Sequence, residues 1–245
     1  MSLFKPTFWK IPLVNLDVET RLVEKTRELQ QRLHQIAERH GDARFASSLA
    51  VEDMVITDVI AREQLNIGVF TLDTGLLHQE TLDLLDNLAK TYPHLHITRF
   101  HPITSDAARY VAENGKFAFY ESIELRRECC HIRKIEPLNR ALHGADAWLT
   151  GQRREQSATR TELPFAEQDK ARGIDKYNPI FDWSETDVWA YILANNVPYN
   201  TLYHQGFPSI GCDPCTRQVK QGEDIRAGRW WWESKDSKEC GLHNK

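Results

Sequence analysis

Between Asp17 and Arg39 apolar residues recur at helical spacing, with Leu22, Leu29, Leu33 and Ile36 on one stripe, and the run stops at Gly41. That spacing predicts an amphipathic helix with one buried face. A short apolar run, ARFASSLA, follows, and then a helix-like segment, EDMVITDVIAREQL. NIGVFTLDTG has the continuous apolar character of a buried strand entering a glycine turn, and LLHQETLDLLDNLAKTY returns to helical periodicity. HLHITRFHP and ADAWLTG supply further strand candidates. Strands that alternate with helices of this length pair in parallel, which predicts an α/β sheet covered by helices on both faces. Ligands of such sheets sit beyond the carboxyl ends of the strands. The polar loops SSLAVED, LDTG and TGQRREQSATR should therefore converge on one site.

Beyond Pro208 the periodicity fades. The stretch carries turn residues, charges and three consecutive tryptophans, and is expected to be a poorly packed or mobile C-terminal arm. The expected division is residues 1–208 as a nucleotide-binding α/β domain, with 1–41 as a helical extension, and residues 209–245 as the arm.

Composition narrows the class. At 245 residues, 41% hydrophobic and 27% charged, the chain suits one soluble globular domain. No apolar run approaches the roughly 18 to 20 residues that span a bilayer, and the first residues do not read as a secretory signal. A cytoplasmic location, with reduced thiols and no membrane partner, is expected. The net charge of -4 argues against general nucleic-acid binding. Basic residues nevertheless gather in three places: Arg126, Arg127, Arg133 and Lys134; Arg153, Arg154 and Arg160; and Arg226 and Arg229. Such grouping suits a small anion held by several loops; solvated surface charge is the plain alternative.

Five cysteines are present. Cys129 and Cys130 are adjacent, and Cys212 and Cys215 form C-x-x-C. Four thiolates suit either structural zinc or an iron–sulfur cluster. Two adjacent ligands to one tetrahedral ion would be strained, whereas a cluster offers separate irons, so the chemistry leans toward [4Fe–4S]. Buried free cysteines and a redox dithiol at Cys212 and Cys215 stay open as alternatives. Cys240 stands apart, with Lys238 and His243 nearby to favour a thiolate.

The motifs ECCHIRK, LDTG, TGQRREQSATR, GCDPC, GEDIRAGRWWW and ECGLH together resemble the assimilatory adenylyl-sulfate (APS) reductases, within the wider phosphoadenylyl-sulfate (PAPS) reductase family. The resemblance runs from about Phe45 to His243. It implies a Rossmann-like sheet of the adenine-nucleotide alpha hydrolase (PP-loop) type. The two cysteine pairs mark the branch that binds one [4Fe–4S] cluster per subunit, which implies Cys129, Cys130, Cys212 and Cys215 as ligands. Cys240 resembles the nucleophile that attacks the sulfur of APS, expels AMP and carries an S-sulfo group until thioredoxin releases sulfite. Lys134 looks placed to link cluster and substrate. Arg160, Arg226 and Arg229 look like contacts to the phosphosulfate or ribose, and His243 like a nucleotide contact. Ser47, Ser48, Leu72, Asp73, Thr74 and Gly75 look like the adenine and phosphate cradle, and Gly151 like a further substrate-binding position. The resemblance leaves a homo-oligomer open.

One departure stands out: SSLAVED lacks the glycines of an S-G-G-x-D-S pyrophosphatase loop. Amides at the following helix start can still bind phosphate, although Glu52 and Asp53 bring negative charge there. A PAPS reductase, an ATP pyrophosphatase of the same fold and a non-catalytic iron–sulfur protein are the competing readings. The last would leave Cys240 and the Arg-rich loops without a role.

Overall fold

The computed structural model describes residues 6–156 and 162–234. Helix α1 (Leu16–Arg39) begins at Asn15, whose side chain accepts the Val18 amide, and buries Leu22, Leu29, Leu33 and Ile36 as its pattern predicts. Strand β1 (Ala43–Ala46), helix α2 (Val51–Arg62), strand β2 (Gly68–Leu72), helix α3 (Gln79–Thr91) and strand β3 (Ile97–Phe100) follow in strict alternation. Helices α4 (Thr104–Asn114), α5 (Ile123–Cys130) and α6 (Glu136–Leu142) precede strand β4 (Ala147–Leu149). Strands β5 (Ala166–Asp169) and β6 (Ile174–Tyr177) and helix α7 (Glu185–Ala194) complete the core.

The strands form one sheet in the order β3-β2-β1-β4-β6-β5. All neighbours pair in parallel except β5, which runs antiparallel to β6 at the edge. The pleat divides the apolar side chains between two faces. Phe45, Val69, Ala147 and Leu149 join the large core beneath α1, α2, α3 and α7. Phe70 and Trp148, one position along, pack with Leu138, Ala141 and Leu142 of α6 on the other face.

Two features depart from the expected pattern. The segment beyond Pro208, expected to be poorly packed, is tied down as far as it is described. Trp9 donates to the Val219 carbonyl at 2.9 Å, Gln221 to Thr7 at 2.8 Å and Asp213 to Leu76 at 2.8 Å, and Val219 and Trp230 are buried. Its anchors are backbone hydrogen bonds and isolated large side chains, which leave no periodic apolar signature. The second departure is a π-helical turn, His131–Ile135, that joins α5 to α6. Such a turn inserts one extra residue into a helix and re-aims the side chains that follow.

Candidate functional site

A cleft of about 260 Å³ opens at the carboxyl ends of β1, β2 and β4. Ser47, Ser48, Leu72, Thr74, Lys134, Gly151, Cys212, Arg226 and Arg229 all line it. The three loops expected to converge do so here as far as they are described, the third through Thr150, Gly151, Gln152 and Gln156, together with the π turn and the segment after Pro208.

The SSLAVED loop achieves its turn without glycine. Leu49 takes φ 63, the left-handed region that costs a non-glycine residue about 1 to 2 kcal/mol. Its side chain is only 1% exposed and belongs to the main core, so burial offsets the strain. Ala50 provides no side-chain cap for α2, and Ala50, Glu52 and Asp53 all line the cleft. The start of α2 thus presents positive dipole to the cavity.

The acidic pair in that loop is already committed. Glu52 accepts from the buried Arg153 guanidinium at 2.8 and 3.2 Å, which neutralises its charge. The Asp53 carboxylate accepts from the Ser48 amide and hydroxyl, both at 2.6 Å. Burial pushes the Asp53 carboxyl up to about 7, against the Ser48 and Gly151 hydrogen bonds that favour its ionised form. A Cβ at position 151 would overlap Asp53 Oδ1, so Gly151 permits the close approach of two strand-end loops. Glu52, Asp53 and Arg153 have structural roles here that their positions in the sequence did not disclose; three paired or hydrogen-bonded charges around one glycine become visible only in three dimensions.

The LDTG loop divides its work. Leu72 and Thr74 face the cleft, whereas Asp73 and Gly75 are not among its lining residues and shape the turn. Asp73 Oδ1 accepts the Gly75 amide at 3.0 Å, and Gly75 sits at φ 70 against Arg133. Thr74 Oγ1 lies 3.4 Å from Cys212 Sγ, and Leu77 pairs with Cys212 in an isolated bridge. The loop therefore seats the C-x-x-C turn as well as forming one wall. His78 Nδ1 adds a contact to Asp213 Oδ1 at 3.2 Å.

Behind the cleft, Cys129, Cys130, Cys212 and Cys215 lie buried in one compartment with Tyr110, Phe119 and Trp230. Desolvation, then the neighbouring Cys130, pushes the Cys129 thiol up to about 11; desolvation, then Cys212, pushes Cys215 up to about 12. Thiols raised in this way hold their protons in the metal-free fold, and a bound cation would have to displace them. Among the described residues no group of three or more His, Cys, Asp or Glu side chains is gathered as ligands of a single metal ion. A polynuclear cluster spaces its ligands more widely, and the donor set fits one: four thiols, positive charge from Arg133 beside Cys129 and from Lys134 beside Cys215, and a Trp230 indole N–H with no partner among the described residues available to an acceptor. Lys134 also lies 6.0 Å from the Trp230 ring, between compartment and cleft. Arg229 stacks on that ring at 4.8 Å and donates to the Ile210 carbonyl.

Arg160, Cys240 and His243 lie outside the described residues.

Residues 43–218 match the model of the phosphoadenosine phosphosulfate reductase domain. An adenosine 5'-phosphosulfate reductase of Neisseria meningitidis is 75% identical over 243 residues, covering 99% of this chain and 100% of that protein. Its counterpart in Burkholderia cepacia is 59% identical over 222 residues, covering 91% and 88%. Among solved structures, a phosphoadenylyl-sulfate (PAPS) reductase from Candida auris in a phosphate complex superposes with a TM-score of 0.66 at 27% identity, over 85% of this chain and all of that one. Yeast FAD synthetase bound to FAD shares the fold alone, with a TM-score of 0.58 at 14% identity over 84% and 70% of the two chains. No described helix is long and apolar enough to cross a membrane.

Proposed function

Because the chain belongs to the phosphoadenosine phosphosulfate reductase family, we propose that it is an oxidoreductase that converts adenosine 5'-phosphosulfate (APS) to sulfite and AMP. The observation that carries this reading is one cleft lined by Ser48, Gly151, Lys134, Arg226 and Arg229 and backed by four buried thiols. The start of α2 and the Ser48 loop suit the 5'-phosphate, and the apolar floor of Phe70, Leu138 and Trp148 suits an adenine. Arg226, Arg229 and Lys134 bring positive charge for the phosphosulfate bridge.

The reaction then needs a nucleophile for sulfur. Cys240 thiolate attacks the sulfur of APS, its S–O bond to phosphate breaks, and AMP leaves with the electron pair. Cys240 keeps an S-sulfo group. A thioredoxin thiolate next attacks Cys240 Sγ; the S–SO₃ bond breaks, sulfite departs with that pair, and the second thioredoxin thiol resolves the mixed disulfide. One dithiol is oxidised as one sulfate sulfur is reduced, so the electrons balance. A [4Fe–4S] cluster held by Cys129, Cys130, Cys212 and Cys215 would supply a buried delocalised charge that Lys134 couples to the substrate anion.

Anaerobically purified protein should contain about four irons per chain and absorb broadly near ~400 nm; stoichiometric zinc in a colourless protein would overturn the cluster. kcat/KM for APS should exceed that for PAPS by about tenfold or more, because the Cys129–Cys130 and Cys212–Cys215 pairs place the chain in the cluster-bearing branch. Comparable values would sink the preference.

A further inference from the structure

We infer that the exposed aromatic face of Phe117, Tyr120 and Trp231 is the surface on which the reducing protein dithiol docks to reach Cys240. The inference rests on the reading above, in which Cys240 carries the group to be released.

The last described stretch before Cys240 is firmly anchored. The Arg126 guanidinium donates to both Glu233 carboxylate oxygens at 2.8 Å, with side chains 0% and 3% exposed. Arg126 also stacks on the buried Trp230 ring at 4.8 Å. This ion pair pins the run Trp230–Glu233 against α5, beside Cys130. Cys240 follows Glu233 by seven residues, so its Cα lies within roughly 25 Å of Glu233 even for a fully extended chain. A protein that attacks Cys240 Sγ must approach within that radius.

The surface at this spot is unlike the rest. Phe117 is 55% exposed and Tyr120 and Trp231 each 39%, and they are the three exposed large aromatic side chains among the described residues. All three cluster at one place: Phe117 and Tyr120 have ring centroids 6.3 Å apart, and Tyr120 and Trp231 6.0 Å. Trp232 lies 4.5 Å from Tyr120, which extends the face toward Glu233. None of these residues lines the substrate cleft, so substrate binding does not account for their exposure. Trp and Tyr are the residues that dominate protein–protein binding energy.

The chemistry selects the partner. Its nucleophilic thiol must itself be exposed, because it forms a bond to a sulfur on another protein. Such a partner offers a shallow surface rather than a projecting side chain, and the complement of a shallow surface is a flat aromatic face. As its thiolate bonds to Cys240 Sγ, sulfite leaves with the S–SO₃ pair and the second thiol later displaces Cys240.

The test uses the cluster-loaded enzyme with Phe117→Ser, Trp231→Ser and the double variant. The Cys240 adduct is formed with APS, and sulfite release is timed with thioredoxin and, separately, with dithiothreitol. The second-order rate with thioredoxin should fall by about tenfold in the double variant, while adduct formation and the dithiothreitol rate stay unchanged. A thioredoxin rate within about twofold of wild type would overturn the proposal. So would equal losses with both reductants, which would mean that the residues act on Cys240 itself. A dimer that falls to monomer in the double variant, with the thioredoxin rate intact, would assign the face to a second copy. Titration calorimetry of thioredoxin against wild type and double variant reads the surface independently of the chemistry. If wild type formed no adduct, the proposed reaction would fail, yet weakened thioredoxin binding would still uphold the docking face and unchanged binding would refute it.

Discussion

Replacing Asp53 with Asn sets two opposing forces against each other at the root of the cleft. Desolvation raises the Asp53 carboxyl from the ordinary 3.8 to about 7, whereas hydrogen bonds from Ser48 and Gly151 favour its ionised form. An acid raised in this way holds a proton in the fold that the unfolded chain has already released. Its contribution to stability is complete below about 3.8 and is lost as pH rises through about 7. Three pH units at about 1.4 kcal/mol each make the full window worth about 4 kcal/mol. Asn does not titrate, so groups elsewhere cancel when the two proteins are compared. Urea unfolding at matched iron content should show the wild-type advantage over Asp53→Asn shrinking by roughly 2 kcal/mol between about pH 5 and about pH 7. A difference constant within about 0.5 kcal/mol would refute the reasoning. It would mean that the donors outweigh desolvation and that a buried negative charge stands beside the phosphate site.

Leu49→Ala should destabilise the protein by about 2 to 5 kcal/mol in urea, as for other buried leucines. Leu49→Gly should be no worse than Leu49→Ala, because glycine removes the strain of the positive φ; the usual order, with glycine clearly worse, would show that the strain is not real. Gly151→Ala must displace the Asp53 carboxylate and should weaken APS binding by about tenfold or more in calorimetry, and unchanged affinity would show that the loop junction does not shape the site.

The elements with strong periodicity were legible in the sequence. The stripe of α1 and the apolar runs of β2 and β4 announce themselves, and the convergence of Ser48, Thr74 and Gly151 follows from parallel pairing. The β5–β6 hairpin was not legible: AEQD and IDKY are four-residue strands with two charged residues each, and only β5 lies at the sheet edge, so neither carries an apolar run that marks a strand. Helix α7 is buried on several sides, from Val188 to Ile192, so it lacks an amphipathic stripe. The ECCHIRK motif signalled paired sulfurs, but the π turn after Cys130 depends on backbone hydrogen bonding that residue type does not encode. Leu49 shows the limit most clearly. The missing glycine suggested a different loop, yet tertiary packing holds a leucine in the backbone conformation that glycine would adopt freely.

The most direct measurement of the central claim is the mass of the protein after incubation with APS in the absence of reductant. One SO₃ group should be added per chain, on the peptide containing Cys240, with one equivalent of AMP released. Cys240→Ser should abolish the adduct while keeping iron content and APS affinity, and thioredoxin should discharge the wild-type adduct as sulfite. An adduct on any of the four buried cysteines, or one that survives Cys240→Ser, would contradict the account.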